Sequence, residues 1–150
     1  MAEVPAFELR RARASDHGFV ERLYLDTMQP LLEQLDSWDE REVLSRFKRG
    51  LKLRETQIIG ADGQDIGFLQ VSEDQDAVTL AQIHIEPAFR SRGIGTRLVQ
   101  ALLCDAAAKG KPVLLSVVRG NRAGALYERL GFLIASEDAT KLHMHWMPPE

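Results

Sequence analysis

Alternation and amphipathic periodicity at the start of the chain predict one short strand and two helices. Residues 7–12 alternate weakly between apolar and polar positions, which favours a strand. Apolar residues then recur at three- and four-residue spacing, first around Leu23 and again around Phe47, as on the buried face of a helix. The expected boundaries are Ser15 or Asp16 as the first N-cap, Pro30 as the end of that helix or a bend in it, Ser37 or Asp39 as the start of the second helix, and Gly50 as its stop.

The middle of the chain changes to the two-residue period of strands. Residues 56–60 and 66–71 predict a hairpin, because residues 61–63 (Ala-Asp-Gly) form a turn sequence with glycine where the backbone needs a positive φ. A third strand over residues 78–86 follows. It ends at Pro87, since proline cannot donate to a strand ladder.

The second half of the chain predicts a long helix, a buried strand, a short helix and a final strand. The helix covers residues 96–109, and residues 113–118 are so apolar that both faces of that strand should be covered. Residues 121–130 follow as a short helix, and residues 140–147 as an alternating strand. The order β, α, α, β, β, β, α, β, α, β, β predicts the α/β (α+β) class, with a mixed, mainly antiparallel sheet and one βαβ crossover.

Length and composition narrow the class to an ordinary globular protein. The 150 residues are 45% hydrophobic and 27% charged, so we expect residues 1–150 to form a single domain. No apolar run nears the roughly 20 residues of a membrane helix, and the first five residues lack the order of a signal peptide. Cys104 is the only cysteine, so a cytoplasmic location is expected. The net charge of −3 argues against nucleic acid as a partner.

The candidate chemistry lies between a predicted strand and the long helix. Residues 83–96 read Ile-His-Ile-Glu-Pro-Ala-Phe-Arg-Ser-Arg-Gly-Ile-Gly-Thr. Free N–H groups at a helix start make an anion site, and glycines 93 and 95 would let a phosphate approach the backbone. Arg90 and Arg92 add charged donors at the rim. The spacing fits neither a P-loop nor a dinucleotide fingerprint, and Gly-x-Gly alone is equally compatible with a tight turn.

Two motifs resemble the GNAT superfamily of acyl-CoA-dependent N-acetyltransferases. Residues 90–95 are similar to the family's Arg/Gln-x-x-Gly-x-Gly/Ala loop, and residues 85–87 to the entry of that loop. Residues 121–132 resemble its signature Asn-x-Ala-x-x-Leu-Tyr-x-x-x-Gly-Phe. The opening residues 9–12 with Asp16 are similar to the family's first strand and helix start, so the resemblance covers almost the whole chain. It implies about six to seven strands, helices on both faces and splayed central strands.

The resemblance implies acetyl-CoA as cosubstrate. In the family, backbone N–H groups of the loop hold the coenzyme pyrophosphate, and the pantetheine arm lies like a missing strand between the strands before and after the long helix. Unpaired strand edges seek such partners. The implied coenzyme-binding residues are Ile83 and Ile85 through their main chains, then Arg90, Ser91, Arg92, Gly93, Ile94, Gly95 and Thr96, and finally Asn121, whose alternative role is a helix N-cap.

Acetyl transfer needs a neutral amine and a proton for the leaving thiolate. An amine with a pKa near 10.4 is about 0.04% neutral at pH 7, a cost of roughly 4.6 kcal/mol, so a base or a lowered amine pKa is required. The resemblance makes Tyr127 the general-acid candidate, with a core aromatic as the alternative. At the two strand positions where family members often carry a Glu as the general base, this chain has Ala81 and Ser116. His84, or Glu86 through a water, is the remaining candidate base; a core histidine and a water chain are the alternatives.

The acceptor is expected to be a small-molecule or peptide amine that attacks directly in a ternary complex. The first two helices and their connection offer aromatic and acidic side chains for a cation, with core packing as the alternative: Tyr24, Met28, Trp38 and Asp39. His143 and His145 share a face of the last strand, but no further ligand is spaced near them, so no metal is expected. That strand also allows pairing into a homodimer. Two alternative functions are a degenerate acyl-CoA sensor and a protein or peptide N-acetyltransferase.

Overall fold

A computed structural model describes residues 3–150, so Met1 and Ala2, part of the stretch judged to lack signal-peptide order, lie outside the described residues. The strands are β1 (Glu8–Arg11), β2 (Thr56–Ala61), β3 (Gln64–Glu73), β4 (Val78–Ile85), β5 (Val113–Val118), β6 (Leu133–Glu137) and β7 (Lys141–Trp146). The α-helices are α1 (His17–Gln34), α2 (Glu40–Gly50), α3 (Ile94–Ala108) and α4 (Ala123–Arg129).

The strands form a sheet in the order β1-β2-β3-β4-β5-β7-β6. Strand β2 pairs antiparallel with β1 and β3, and β7 pairs antiparallel with β5 and β6. Strands β4 and β5 are parallel, with α3 between them in the chain. The predicted α/β class, with a mainly antiparallel sheet and one βαβ crossover, is therefore confirmed.

The chain forms two compact units. The first contains the described residues up to Gln70 together with Gln82–Gly95, and the second contains Val71–Ala81 and Thr96–Glu150. The assignment of residues 1–150 to a single domain stays a prediction.

The parallel ladder between β4 and β5 is short and lies within the second unit. It comprises the pairs Val78 with Val113, Thr79 with Leu114 and Leu80 with Leu115. Both strands continue beyond it, but in the described part of the chain no further β4–β5 pair follows. From Ser116 onward β5 has β7 as a ladder partner on one side only. The expected splay of the central strands stays a prediction.

The core of the first unit lies between α1, α2 and the strands β2 and β3. Val20 and Leu23 of α1 and Phe47 of α2 pack with Ile58 of β2 and Phe68 of β3, and all five are buried. Burial of such side chains stabilises the fold by about 1.5–3 kcal/mol each. The predicted apolar faces of both helices are therefore correct.

A partly buried ion pair joins β1 to the beginning of α1. Both terminal nitrogens of Arg10 donate to the carboxylate of Asp16 over 2.9 Å, and the backbone N–H of Arg13 donates to the same carboxylate over 2.7 Å. The bonds from Arg10 hold the pKa of Asp16 down at about 2. Bidentate geometry of this kind is the strong form of an Arg–carboxylate contact.

Most predicted boundaries agree with the structure, and one is wrong. Asp39 caps α2, where its side chain accepts the N–H of Glu42, and Asp62 and Gly63 both have positive φ in the turn between β2 and β3. Pro30 does not end α1, because the helix continues to Gln34, whereas a bend at Pro30 stays a prediction. A proline deprives an interior turn of only one backbone donor, and the contacts of the flanking turns can outweigh that loss.

Gly67 of β3 lies unusually close to the end of β4. A Cβ on Gly67 would stand 2.3 Å from the carbonyl oxygen of His84 and 3.2 Å from the Cα of Ile85. The adjacent N–H of Glu86 donates to the carbonyl of Ile66 over 2.7 Å. Because the nearest atoms belong to the backbone, they cannot turn aside as a side chain would, and only glycine fits.

We predict that Gly67→Ala destabilises the protein by about 1–3 kcal/mol, the usual cost of overpacking. The measurement is urea unfolding. Gly18→Ala is the matched control, because Gly18 lies in α1 with nothing within 4 Å of an added Cβ. Alanine is favoured over glycine in a helix, so this control should be neutral or slightly stabilising. Equal urea midpoints for Gly67→Ala and the wild type would contradict the close approach.

Candidate functional site

The loop that follows β4 leads directly into the N-terminus of α3. Pro87–Phe89 form a single 3-10 turn after the strand, Ser91 and Gly93 have φ values of 60° and 92°, and α3 begins at Ile94. The first four N–H groups of a helix have no partner within it. They and the positive end of the helix dipole can therefore bind an anion here.

Gly93 is required by its conformation and by its surroundings. Its positive φ disfavours any residue with a Cβ, and a Cβ built there would lie 2.8 Å from Cγ2 of Val4. The glycine predicted from the motif thus has a structural reason of its own.

The two loop arginines contact the protein itself. Arg90 donates through Nε to the carbonyl of Ile85 over 2.7 Å, and through one terminal nitrogen to Oγ1 of Thr27 over 3.0 Å. These bonds tie the loop to the end of β4 and to α1. The guanidinium of Arg92 lies 5.3 Å from the ring centre of Phe89. A guanidinium has five N–H donors, so Arg90 keeps donors free for a second partner; phosphate contact by either arginine stays a prediction.

His84 of β4 is buried in an aromatic cluster. Its ring centre lies 5.0 Å from that of Phe68 and 5.3 Å from that of Tyr24, and Tyr24 stacks on Phe47 at 4.1 Å. Nε2 of His84 is 2.7 Å from Oε1 of Gln82, and since an amide oxygen only accepts, Nε2 carries the proton. Burial lowers the pKa of His84 to about 3, with the positive charge of Arg90 as the smaller cause.

Glu86 follows β4 and is already paired. Its Oε1 accepts a bond of 2.7 Å from a terminal nitrogen of Arg22, whose other terminal nitrogen donates to Asp26 on the same helix. Arg22 was not among the predicted site residues. Ile83 and Ile85, on either side of His84, are both partly exposed.

The predicted acceptor residues have different settings within the first unit. Tyr24 contacts His84 as described, and burial raises the pKa of its hydroxyl. Met28, one turn along α1, is buried. Trp38 is half-buried in the connection to α2, and Asp39 is exposed but occupied as the N-cap of that helix. Tyr24 therefore lies beside a candidate base, whereas Asp39 has an evident structural role.

Asn121 and Tyr127 both belong to the second unit. Oδ1 of Asn121 accepts the N–H of Ala123 over 2.9 Å, which is the cap-like role considered from the sequence. Tyr127 of α4 is buried with its ring 5.7 Å from that of Phe132. Burial raises the pKa of the Tyr127 hydroxyl to about 12, so it keeps its proton at neutral pH.

Sequence reasoning left His143 without a partner, and the structure corrects this. Oγ of Ser116 is 2.7 Å from Nδ1 of His143, and Nε2 of His143 is 3.0 Å from Oδ2 of Asp138. Ser116 and His143 are opposite residues in the β5–β7 ladder. Their pairing depends on strand register, which the sequence does not display. Within residues 3–150, no three His, Cys, Asp or Glu side chains gather as a metal site, and no helix is long and apolar enough to cross a bilayer.

The low pKa of His84 makes a prediction about stability and pH. Unfolded His84 titrates near 6.5, so as the pH falls below that value the unfolded chain gains a proton that the folded chain refuses until about pH 3. Stability is therefore lost on acidification at up to about 1.4 kcal/mol per pH unit. From pH 6.5 to 5 the wild type should lose about 1.5–2 kcal/mol more than His84→Gln.

Urea unfolding at several pH values gives the change in the free energy of unfolding with pH for each protein. Because only these changes are compared, a destabilisation by His84→Gln that does not depend on pH cancels. NMR of the imidazole carbons is an independent check on the wild type. A transition of the His84 ring near pH 6.5 would contradict the buried neutral state.

Comparison with known proteins identifies the family. Residues 54–133 match the Acetyltransferase (GNAT) domain family. The [ribosomal protein bS18]-alanine N-acetyltransferase of Salmonella typhimurium is 33% identical over 98 residues, which cover 63% of this chain and 64% of that relative. The match thus spans slightly less than two thirds of the relative's length.

Solved structures share the fold. PaiA N-acetyltransferase from Thermoplasma acidophilum, crystallised in complex with coenzyme A, is similar with a TM-score of 0.74 and 17% identity over 95% of this chain and 99% of that one. The ribosomal-protein-S18-alanine N-acetyltransferase from Escherichia coli has a TM-score of 0.67 and 19% identity over 97% of this chain and 96% of that one. Since the family match takes in more than half of the 150 residues, the chain belongs to the GNAT acetyltransferase family.

Proposed function

We propose that the protein is an N-acetyltransferase that moves an acetyl group from acetyl-CoA to a primary amine by direct attack in a ternary complex. The observation that carries the proposal is the end of the β4–β5 ladder after three pairs, in strands joined by a glycine loop and α3. An open strand edge suits the amides of a pantetheine arm, and a helix N-terminus suits a pyrophosphate. Membership of the GNAT family supports the same cosubstrate.

The coenzyme would be held mainly by backbone groups. The N–H groups of residues 91–96 would bind the pyrophosphate, and the positive φ of Ser91 and Gly93 supports a loop shaped for such an approach. The main chains of Ile83 and Ile85 would bond the arm and the acetyl carbonyl. The side chain of Asn121 would keep its bond to Ala123 and use its amide donors on the arm.

Tyr127 would act as the general acid. The leaving thiolate needs a proton, and a phenol that stays protonated at neutral pH can donate one.

The candidate bases on and after β4 are weakly supported by their surroundings. With a pKa of about 3, His84 is neutral and able to accept, but it attracts a proton poorly. Oε1 of Glu86 already accepts a hydrogen bond from Arg22 over 2.7 Å, so this oxygen is not free for an amine. Both fit better as groups that orient the amine, together with Tyr24, Met28, Trp38 and Asp39 as the walls of the acceptor site.

A protein N-terminus is the second candidate acceptor. The Salmonella typhimurium relative is named for the alanine of ribosomal protein bS18, and that name favours an α-amine on a peptide. The alternative function is a catalytically silent acyl-CoA sensor, and the amine and peptide panel described next distinguishes it from an enzyme.

We predict acetyl-CoA-dependent thiol release with at least one member of a panel of small primary amines, lysine peptides and peptides beginning with alanine. An N-acetylated alanine peptide is the matched blank. Tyr127→Phe should lower kcat about 10²-fold, the usual contribution of a general acid, with little change in coenzyme affinity. Thermal stabilisation by acetyl-CoA without thiol release from any acceptor would favour the sensor.

A second prediction concerns the loop. Gly95→Val would place a branched side chain at the expected pyrophosphate and should weaken coenzyme A binding more than tenfold in calorimetry, or by over about 1.4 kcal/mol. Gly50→Val is the control, since an added Cβ at Gly50, the last residue of α2, meets nothing within 4 Å. Unchanged affinity for Gly95→Val would contradict the placement of the pyrophosphate.

A further inference from the structure

Three polar side chains of the second unit form a hydrogen-bonded chain that ends at an exposed serine. Ser116 Oγ lies 2.7 Å from Nδ1 of His143, and Nε2 of His143 lies 3.0 Å from Oδ2 of Asp138. The Ser116 side chain is exposed, and those of His143 and Asp138 are 38% and 52% exposed. All three are therefore within reach of a substrate or of water.

The sheet fixes the first link of this chain. Ser116 of β5 and His143 of β7 are paired residues in an antiparallel ladder, so their side chains leave the same face close together. The link does not depend on a mobile loop, since both residues lie inside strands whose pairing extends from Val113 to Val118 on β5.

The turn between β6 and β7 fixes the last link. Oδ1 of Asp138 accepts the N–H groups of Thr140 and Lys141 over 2.9 Å and 2.8 Å, and the N–H of Asp138 donates to the carbonyl of Lys141. The other oxygen, Oδ2, is left to His143. The bonds from the Thr140 N–H, from His143 and from the Lys141 N–H hold the pKa of Asp138 well below its usual range, so it is a carboxylate.

This arrangement determines the direction of each hydrogen bond. A carboxylate only accepts, so the N–H at Nε2 of His143 donates a hydrogen bond to Asp138. In the ring form that carries no second proton, Nδ1 is an acceptor and the hydroxyl of Ser116 donates to it. The serine oxygen is thereby made more basic, and the ring can receive its proton while Asp138 stabilises the resulting imidazolium.

Ser116 also occupies a particular place on β5. The last pair of the β4–β5 ladder joins Leu80 to Leu115, and Ser116 is the next residue along the strand. It is therefore the first side chain beyond the point where the edge of β5 becomes free. The proposed pantetheine arm would use that same edge.

We propose that Ser116, relayed by His143 and Asp138, takes the proton from the attacking amine. This inference rests on the proposed acetyl transfer. As the amine nitrogen bonds to the acetyl carbon it becomes cationic and acidic; its proton passes to Oγ of Ser116 while the serine proton passes to Nδ1 of His143. The C–S bond then breaks, and the thiolate receives the proton of Tyr127. His143 afterwards returns its proton to solvent, and Tyr127 regains one from solvent.

The relay differs from the two earlier candidate bases, His84 and Glu86, in its exposure and in its hydrogen-bond partners. His84 is buried and has a pKa of about 3, and Glu86 is bound by Arg22. His143 is partly exposed and is supported by a carboxylate. Ser116 is the catalytic residue of the relay, and His143 and Asp138 are positioning residues that act through it.

The test compares Ser116→Ala, His143→Gln and Asp138→Asn with the wild type, using the acceptor from the amine and peptide panel that gives the highest kcat/KM. Ser136→Ala is the matched control, because Ser136 pairs with His143 from the β6 side and has no place in the relay. Ser116→Ala and His143→Gln should lower kcat about 10²–10³-fold with coenzyme A affinity unchanged, as for loss of a general base. Ser136→Ala should retain the wild-type kcat.

The pH profile separates proton transfer from a structural role. The wild type and Ser136→Ala should share one pH dependence of kcat/KM, and His143→Gln should depart from it. The charged or titratable groups on the elements around His143 are Arg119 after β5, Glu137 and Asp138 at the end of β6, and Lys141 and His145 on β7. None of these groups is changed in Ser136→Ala or in His143→Gln, so they cannot cause a difference in pH profile between these two variants.

Each other outcome overturns the inference in a distinguishable way. Wild-type kcat and pH profile in Ser116→Ala would exclude the relay and leave the acetyltransferase proposal intact. An acetyl group found on Ser116 by mass spectrometry would replace the relay with a covalent intermediate. Absence of coenzyme A binding or of any turnover by the wild type would remove the proposed function and the relay together.

Discussion

The shortness of the parallel ladder between β4 and β5 is the constraint on which the rest of the site depends. Two parallel strands that paired along their whole length would satisfy each other's backbone groups and leave nothing for a ligand. Here the pairs stop at Leu80 and Leu115, although both strands continue. The free edge of β5 then needs outside donors and acceptors. The loop after β4 leads into the N-terminus of α3, so the same stretch of chain supplies an edge for amides and a positive pole for an anion.

Burial divides the candidate acids and bases into two kinds. The apolar setting of His84 suppresses its charge, and the same effect keeps the Tyr127 hydroxyl protonated. A buried imidazole is therefore a poor proton acceptor, and a buried phenol holds its proton tightly. His143 belongs to the other kind, because it is partly exposed and hydrogen-bonded to a carboxylate that stays ionised. The two histidines are the same residue type, but one is buried among aromatic rings and the other is partly exposed beside a carboxylate.

Local sequence signals predicted what local physics determines. The turn at residues 61–63, the cap at Asp39 and the glycine loop before α3 each depend on a few neighbouring residues, and each is present in the structure. Pro30 lies inside α1, so the expectation that it ends the helix is wrong; one lost backbone bond need not stop a helix. Gly67 carried a readable signal, a glycine inside a strand, but what approaches it belongs to another strand. The link between Ser116 and His143 was out of reach, because 27 residues separate them and only the register of β5 with β7 brings them together.

A strand with an unpaired edge would fray unless other contacts held it. The end of β4 is held by contacts within the first unit, and the end of β5 by contacts within the second. The end of β4 is fixed by the close approach of Gly67, by the bond from Glu86 to Ile66 and by Arg90, which grips the carbonyl of Ile85. The end of β5 is fixed by β7 through Val118. Neither set of contacts uses the edge where the ladder stops. Each strand end is thus held by contacts within its own unit, and these contacts are independent of the short ladder.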